Sequence, residues 1–221
     1  MSTPVAPPHL VGRAPDGTFA VHKPSGMPVH AGAPGGPPDL ASLLARGLPG
    51  LPPGLVPVHR LDIGASGIVL CAADPAQRAR LGDALAAGAI EKAYLCLVFG
   101  RTRPRGTITR PLPDPRRGAP LAASTRYATL EVLGGFSLLA VRIDTGRKHQ
   151  IRRHLAGIGH PLVGDTRHGP ARARVPAFPG RLWLHARTVA LPGGPVFQDP
   201  LPAALLAQLA ALRDGLAAGE E

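Results

Sequence analysis

Apolar residues along the chain fall into short unbroken runs and periodic stretches, separated by Gly- and Pro-rich segments. Residues 18–22 predict a short strand, and 67–72 (GIVLCA) is a compact apolar run, the pattern of a buried strand. Residues 90–99 (IEKAYLCLVF) add aromatic and branched side chains, which favour a strand. Residues 125–133 and 136–144 flank Gly134-Gly135 and predict a hairpin. Residues 181–191 predict a further strand, and 58–61 an extended segment. Helix signals are fewer. Asp39 predicts a cap for residues 40–46. Asp74-Pro75 opens a second helix with Leu81 and Leu85 on one face and Gly88 as its terminator. Residues 148–158 predict a helix ended by Gly159, and 202–216 an Ala/Leu-rich amphipathic helix. Strands outnumber helices in mixed order, so the class is α+β with a largely antiparallel sheet.

Composition narrows the picture. The chain has 221 residues, of which 44% are hydrophobic, enough for a core without disulfide or metal staples. At about 150 residues per domain this predicts one domain, or one domain of two lobes. Residues 1–17 read as a flexible leader and 18–221 as the folded part of the chain. No apolar run is long enough for a membrane span, and no secretory signal opens the chain. Cys71 and Cys96 sit in apolar runs and predict buried thiols in a reducing, cytoplasmic setting.

Charge changes the functional question. Lys plus Arg number 25 against 14 acids, a net charge of +11. That excess points to a polyanionic partner, with nucleic acid ahead of a membrane surface. It is also clustered: residues 145–187 hold nine Lys or Arg, five of the nine histidines, and one acid, Asp165. Residues 101–117 hold six arginines.

Three segments carry candidate chemistry. His59-Arg60-Leu61-Asp62-Ile63-Gly64-Ala65-Ser66-Gly67 sets a carboxylate beside cations and a glycine turn. Asp62 there is either a nucleophile or base, or a structural aspartate paired with Arg60. A serine-hydrolase reading fails, because the second glycine of the elbow motif is missing and a strand, not a helix, follows Ser66. Thr145-Gly146-Arg147-Lys148-His149-Gln150-Ile151-Arg152-Arg153-His154-Leu155 reads as a basic helix. Ile151 and Leu155 lie on one face, Lys148 and Arg152 on another, suited to phosphates or simply solvated. A metallohydrolase built on His149, His154, His160 and Asp165 fits no common ligand spacing. Tyr94, in Glu91-Lys92-Ala93-Tyr94, reads by itself as a half-buried core residue.

Together these segments resemble the RluA family of pseudouridine synthases. His59-Arg60-Leu61-Asp62 with Ser66-Gly67 matches the family's aspartate motif, and Lys92-Ala93-Tyr94 its K-x-Y strand. Arg147 to Leu155, with Gly159-His160-Pro161, Gly164-Asp165 and Gly169, matches its long C-terminal motif. His22-Lys23-Pro24-Ser25-Gly26 matches the opening motif, and Arg181-Leu182-Trp183-Leu184-His185-Ala186 the late strand. Arg147 to His154 and Thr166-Arg167-His168-Gly169 look most like the tRNA-modifying branch acting in the acceptor–T-stem region. Two positions depart from the pattern: Ile63 stands where arginine or a similar long residue is usual, and Ala65 where threonine is common.

The resemblance implies a mixed, mostly antiparallel central sheet with flanking helices and an RNA-binding cleft. It implies isomerisation of a specific uridine to pseudouridine in structured RNA, tRNA ahead of ribosomal RNA, by a monomer with no cofactor and no metal. Asp62 is then the catalytic carboxylate, Tyr94 lies against the base, and Arg147 pairs with Asp62. Arg60, His59, Lys148, Gln150, Ile151, Arg152 and Arg167 contact RNA, with Arg60 helping to open it and Ile151 touching the base. The competing reading is an inactive relative that binds or chaperones RNA.

Overall fold

The computed structural model describes residues 7–31, 37–114, 118–170, 175, 178 and 180–217. Its contacts cluster into two compact units: residues 1–92 with 186–199, and residues 93–185 with 200–221. Parts of the predicted basic loop 165–181 and of the Arg-rich segment 101–117 lie outside the described residues. No helix among the described residues is long and apolar enough to cross a membrane.

In the first unit, β1 (His9–Arg13), β2 (Phe19–Lys23) and β4 (Ser66–Ala72) form an antiparallel ladder. The short β3 (Val56–Pro57) also pairs with β4. β2 and β4 are buried at every position, as the apolar run 67–72 predicts for β4; in β2 the polar His22 and Lys23 are buried too. β1 corrects the sequence reading, which places these residues in a leader. A polar, glycine-containing edge strand has no strong pattern of its own; pairing with β2 makes it a strand. Gly12 sits at an irregularity of that ladder, where a Cβ would strike the Phe197 ring at 2.9 Å. β3 falls two residues before the predicted extended segment.

Two helices belong to this unit. α1 (Leu40–Arg46) begins where predicted: the Asp39 carboxylate accepts from the Ser42 N–H at 3.0 Å and from its hydroxyl at 2.7 Å. α2 (Pro75–Ala86) is capped by Asp74, which accepts from the Gln77 N–H at 2.7 Å. β9 (Leu184–Ala190), most of which lies in this unit, pairs with β10 (Val196–Gln198), a strand the sequence reading does not contain. The core joins Ile68, Leu70, Leu81, Ile90, Val189 and Phe197.

In the second unit, β5 (Glu91–Phe99), β8 (Phe136–Ile143), β7 (Thr125–Leu133) and β6 (Arg105–Ile108) run antiparallel in that spatial order. β7 and β8 form the predicted hairpin, with Gly134 at φ 58° in its turn. One sheet face places Leu95, Leu97 and Leu138 against Leu205, Leu209 and Leu212 of α4 (Ala203–Ala217), with Trp183 and Val163 closing the core. The other face carries a row across the four strands: Tyr94, Val141, Tyr127 and Gly106. α3 (Gln150–Gly157) is tied to this side through Thr125. α3 starts two residues later than predicted, because His149 takes a left-handed conformation (φ 54°) that interrupts the helix. Lys148 is therefore outside the helix and does not share a face with Arg152. β6 is a strand the sequence reading does not contain.

Candidate active site

Asp62 lies in the first unit on a four-residue turn that feeds β4, closed by the Ala65 N–H donating to the Asp62 carbonyl at 3.0 Å. The three carbonyls that follow are also held. Ile63 O accepts from the Gly26 N–H at 2.7 Å and from Lys23 Nζ at 3.3 Å. Gly64 O accepts from the Ser25 hydroxyl at 2.6 Å, and Ala65 O from Lys23 Nζ at 2.7 Å. Lys23 is fully buried, and its ammonium also donates to the Pro24 and Met27 carbonyls, each at 2.7 Å. Buried ammonium groups persist only where polar partners replace water, and here carbonyl dipoles do so. The ladder explains the placement: Lys23 ends β2 opposite Gly67 at the start of β4. Sequence motifs mark Lys23 and Ser25 without assigning them a role; a lysine directly following the strand-like stretch 18–22 is the available signal.

The residues before Asp62 divide their work. Arg60 is exposed and Leu61 is buried. His59 does not reach outward as predicted: its Nε2 accepts from the Leu70 N–H at 3.0 Å. Desolvation, reinforced by the Lys92 ammonium, pushes its pKa down to about 4, so the ring is neutral. His59 thus anchors the segment to β4. Gly67, which follows Ser66, has φ 117°, and a Cβ there would meet the Ala186 carbonyl oxygen at 2.3 Å. Only glycine permits this approach.

Tyr94 and Arg147 lie in the second unit. Tyr94 is 7% exposed on β5. Arg147 and Lys148 are exposed, in the segment between β8 and α3. Arg147 Nε donates to the Ala122 carbonyl at 3.1 Å. Gln150, predicted to touch RNA, is buried and organises this segment instead. Its Oε1 accepts from the Thr145 hydroxyl at 2.7 Å and the Arg147 N–H at 3.1 Å. Its Nε2 donates to Ser124 O at 2.8 Å and Thr125 Oγ1 at 3.1 Å. All four hydrogen-bonding positions of the amide are used. Ile151 is buried on α3.

Arg152 is also not the free phosphate ligand the sequence suggests. Its guanidinium forks onto Asp165, with Nε to Oδ2 and Nη2 to Oδ1 both 2.8 Å, and its side chain is only 11% exposed. Asp165 Oδ1 further accepts from the Arg167 and His168 N–H groups at 3.0 and 2.9 Å. Burial alone would raise the Asp165 pKa, but these bonds prevail and hold it below the usual carboxylate range. The loop is thereby pinned to α3, leaving the Arg167 side chain exposed.

The histidines are similarly committed. His154 Nε2 donates to Arg110 O at 2.8 Å, and its Nδ1 accepts from the Thr125 hydroxyl at 2.9 Å. His160 Nδ1 donates to Phe99 O at 2.9 Å. His149 pairs with His168 at 3.0 Å. The four residues of the metallohydrolase reading are therefore each engaged by protein partners, His149 and Asp165 both through His168 and His154 and His160 through backbone carbonyls.

Residues 17–157, which include Asp62, Tyr94 and Arg147, match the family model described as RNA pseudouridylate synthase. The chain belongs to that family. Within it, the chain is 39% identical over 213 residues to an uncharacterized RNA pseudouridine synthase of Chloroflexus aurantiacus, covering 87% of this chain and 66% of that protein. It is 32% identical to a ribosomal large subunit pseudouridine synthase D of Nitrosomonas europaea, covering 90% of this chain and 64% of the relative. The chain thus spans just under two thirds of the length of these relatives. The pseudouridine synthase fold is matched by human RNA pseudouridylate synthase domain containing 4, at TM-score 0.74 and 23% identity, over 89% of this chain and 90% of that one.

Proposed function

We propose that this family member isomerises a uridine in structured RNA to pseudouridine. In that reaction the bond from C1′ to N1 of the base breaks, a bond from C1′ to C5 forms, and the C5 proton is replaced by one on N1. Nothing is added or lost overall. Asp62 is the reacting carboxylate, Tyr94 the aromatic partner of the base and Arg147 the cation that serves the carboxylate. Exposed Arg60, Lys148 and Arg167 supply cations for phosphates. The observation that carries this reading is the mounting of Asp62: an acid held half-buried on a turn whose four carbonyls all have donors. Such rigid placement is what a reacting group needs.

Two RNA classes compete as substrate. The basic segment around Arg147 and Arg167 resembles the tRNA-modifying branch, whereas the Nitrosomonas relative is named for the large ribosomal subunit. The test is tritium release from transcripts labelled at uridine C5, offered as separate tRNA and large-subunit ribosomal RNA pools. Release from one pool, lost in Asp62→Ala, supports the activity and selects the class. Retention of RNA binding by both proteins without release from either pool favours the inactive-binder reading.

A further inference from the structure

His9, His22 and Asp199 meet within the first unit. Each offers one metal-ligating atom, and the three atoms lie within 4.8 Å of one another. Among the described residues no other group of three or more His, Cys, Asp or Glu side chains converges in this way. The fold explains the meeting. His9 of β1 stands directly opposite His22 of β2 in the antiparallel ladder, which puts both side chains on one face. Asp199 follows β10, and its N–H is held by the Arg187 carbonyl at 2.8 Å. None of the three lies in the Asp62 turn.

The third donor sets this cluster apart from a buried ion pair. His22 and Asp199 alone would make such a pair: Nδ1 and Oδ2 share a hydrogen at 2.5 Å, and the residues are only 5% and 2% exposed. His9 is exposed, yet it is held beside them, its ring stacked on His22 with centroids 4.7 Å apart. The His9 Nδ1 lies 3.0 Å from the Pro7 carbonyl, which can only accept. In the neutral ring the hydrogen is therefore on Nδ1 and the lone pair on Nε2. A carbonyl behind the ring that fixes the tautomer is how metal-binding histidines are prepared. The buried carboxylate supplies negative charge, the imidazoles supply nitrogen, and the exposed side admits an ion with its water.

We infer that His9, His22 and Asp199 form a binding site for one divalent transition-metal ion of the zinc class, with water as the fourth ligand. The chemistry selects the class: imidazoles with one carboxylate suit Zn²⁺, Co²⁺ or Ni²⁺, whereas Mg²⁺ and Ca²⁺ take oxygen ligands. The ligand atoms of a tetrahedral zinc ion stand about 3.4 Å apart, so the His22–Asp199 contact opens by about 1 Å and the exposed His9 ring turns out of its stack toward the ion. The hydrogen between His22 and Asp199 moves to Nε2 of the ring or leaves to water. The ion ties the polar edge strand β1 to β2 and to the segment after β10, so its role is structural. It takes no part in the uridine chemistry, and the inference stands independently of that reading.

The test uses the full chain, free of any affinity tag and stripped of metal with a chelator, near neutral pH. Calorimetric titration with ZnCl₂ should show one ion bound per chain, and titration with MgCl₂ none. At zinc about a hundredfold above its Kd the thermal midpoint should rise by about 5–10 °C. Hydrogen exchange at the β1 amides should slow when zinc is added. His9→Ala changes an exposed side chain, so its midpoint without metal should stay close to wild type. It should bind zinc at least about 100-fold more weakly, since even a partner behind a metal ligand is worth about 10- to 100-fold. Asp199→Asn should also lose binding, but it breaks a buried pair and puts the fold at risk, so His9→Ala is the deciding variant. His168→Ala removes the separate His149–His168 pair and should bind zinc as wild type does.

No saturable zinc binding by wild type, wild-type affinity in His9→Ala, or loss of binding in His168→Ala instead would overturn the site. Zinc binding that leaves exchange at β1 unchanged would overturn its structural role.

Discussion

Lys23 Nζ lies 2.7 Å from the Ala65 carbonyl, joining the end of β2 to the turn that carries Asp62. Three further carbonyls share the same ammonium, so one side chain links the opening motif to the turn. Replacing it by methionine leaves several inward-facing carbonyls without a donor. Lys23→Met should destabilise the protein by about 2–4 kcal/mol, since each buried unsatisfied group costs roughly 1–3 kcal/mol and some relaxation is expected. Where the variant is still folded, kcat should fall more than RNA affinity, because the exposed cations proposed to meet phosphates, Arg60, Lys148 and Arg167, do not bond to Lys23. Urea melts and tritium-release kinetics measure the two effects.

His59 makes stability pH-dependent. Its folded pKa, about 4, is below its ordinary value of 6.5, so folding favours the neutral ring. This contribution is fully present above pH 6.5. It is lost as pH falls from 6.5 through about 4, where the unfolded chain takes up the proton first. The full difference is about 2–3 kcal/mol at most. His59→Gln keeps an acceptor for the Leu70 N–H but cannot titrate. Its urea midpoint should therefore change less than that of wild type between pH 7 and pH 4.

The Arg152–Asp165 fork predicts a second large loss. Asp165→Asn removes the negative charge and leaves a mostly buried guanidinium without its counterion. Breaking a buried pair from one side costs about 3–5 kcal/mol. The variant should melt earlier, and proteolysis should cut the segment after Asp165 sooner, since the Arg167 and His168 N–H groups lose their shared acceptor. In wild type the depressed Asp165 pKa stabilises the fold above the ordinary carboxylate pKa. That stabilisation is lost as pH falls through the lower folded value.

Gly67→Ala should fail more severely. The added Cβ meets backbone atoms of Ala186 at 2.3 to 2.7 Å and must also adopt φ 117°. Neither contact atom is the end of a flexible side chain. We expect a loss of more than about 4 kcal/mol, seen as insoluble or unfolded protein by circular dichroism. Gly64→Ala, in the adjacent turn, has no positive φ and should be far milder.

Much of this molecule is legible in local sequence. Asp39 and Asp74 mark helix starts because a short carboxylate next to a free N–H is a local device. Gly134-Gly135 marks the β7–β8 turn for the same kind of reason. The apolar run 67–72 within β4 requires burial on both faces wherever it lies. Cys71 and Cys96 are buried free thiols, as their apolar runs predict, and burial pushes Cys71 up to about 12. Edge strands β1, β6 and β10 are not legible, because their residues are mixed and a neighbouring strand supplies the stabilising bonds.

For the site, sequence by itself identified the residue types and the motifs: an acid at 62, an aromatic at 94, a cation at 147 and a basic chain. It did not decide which polar side chains face water. His59, Gln150 and Arg152 share motifs with exposed Arg60 and Lys148, yet each turns inward to a partner that is distant in sequence or belongs to a neighbouring element. Leu70, Ser124 and Asp165 provide those partners. A polar side chain leaves water only where folding brings it a matching donor or acceptor, and that meeting is a property of tertiary structure.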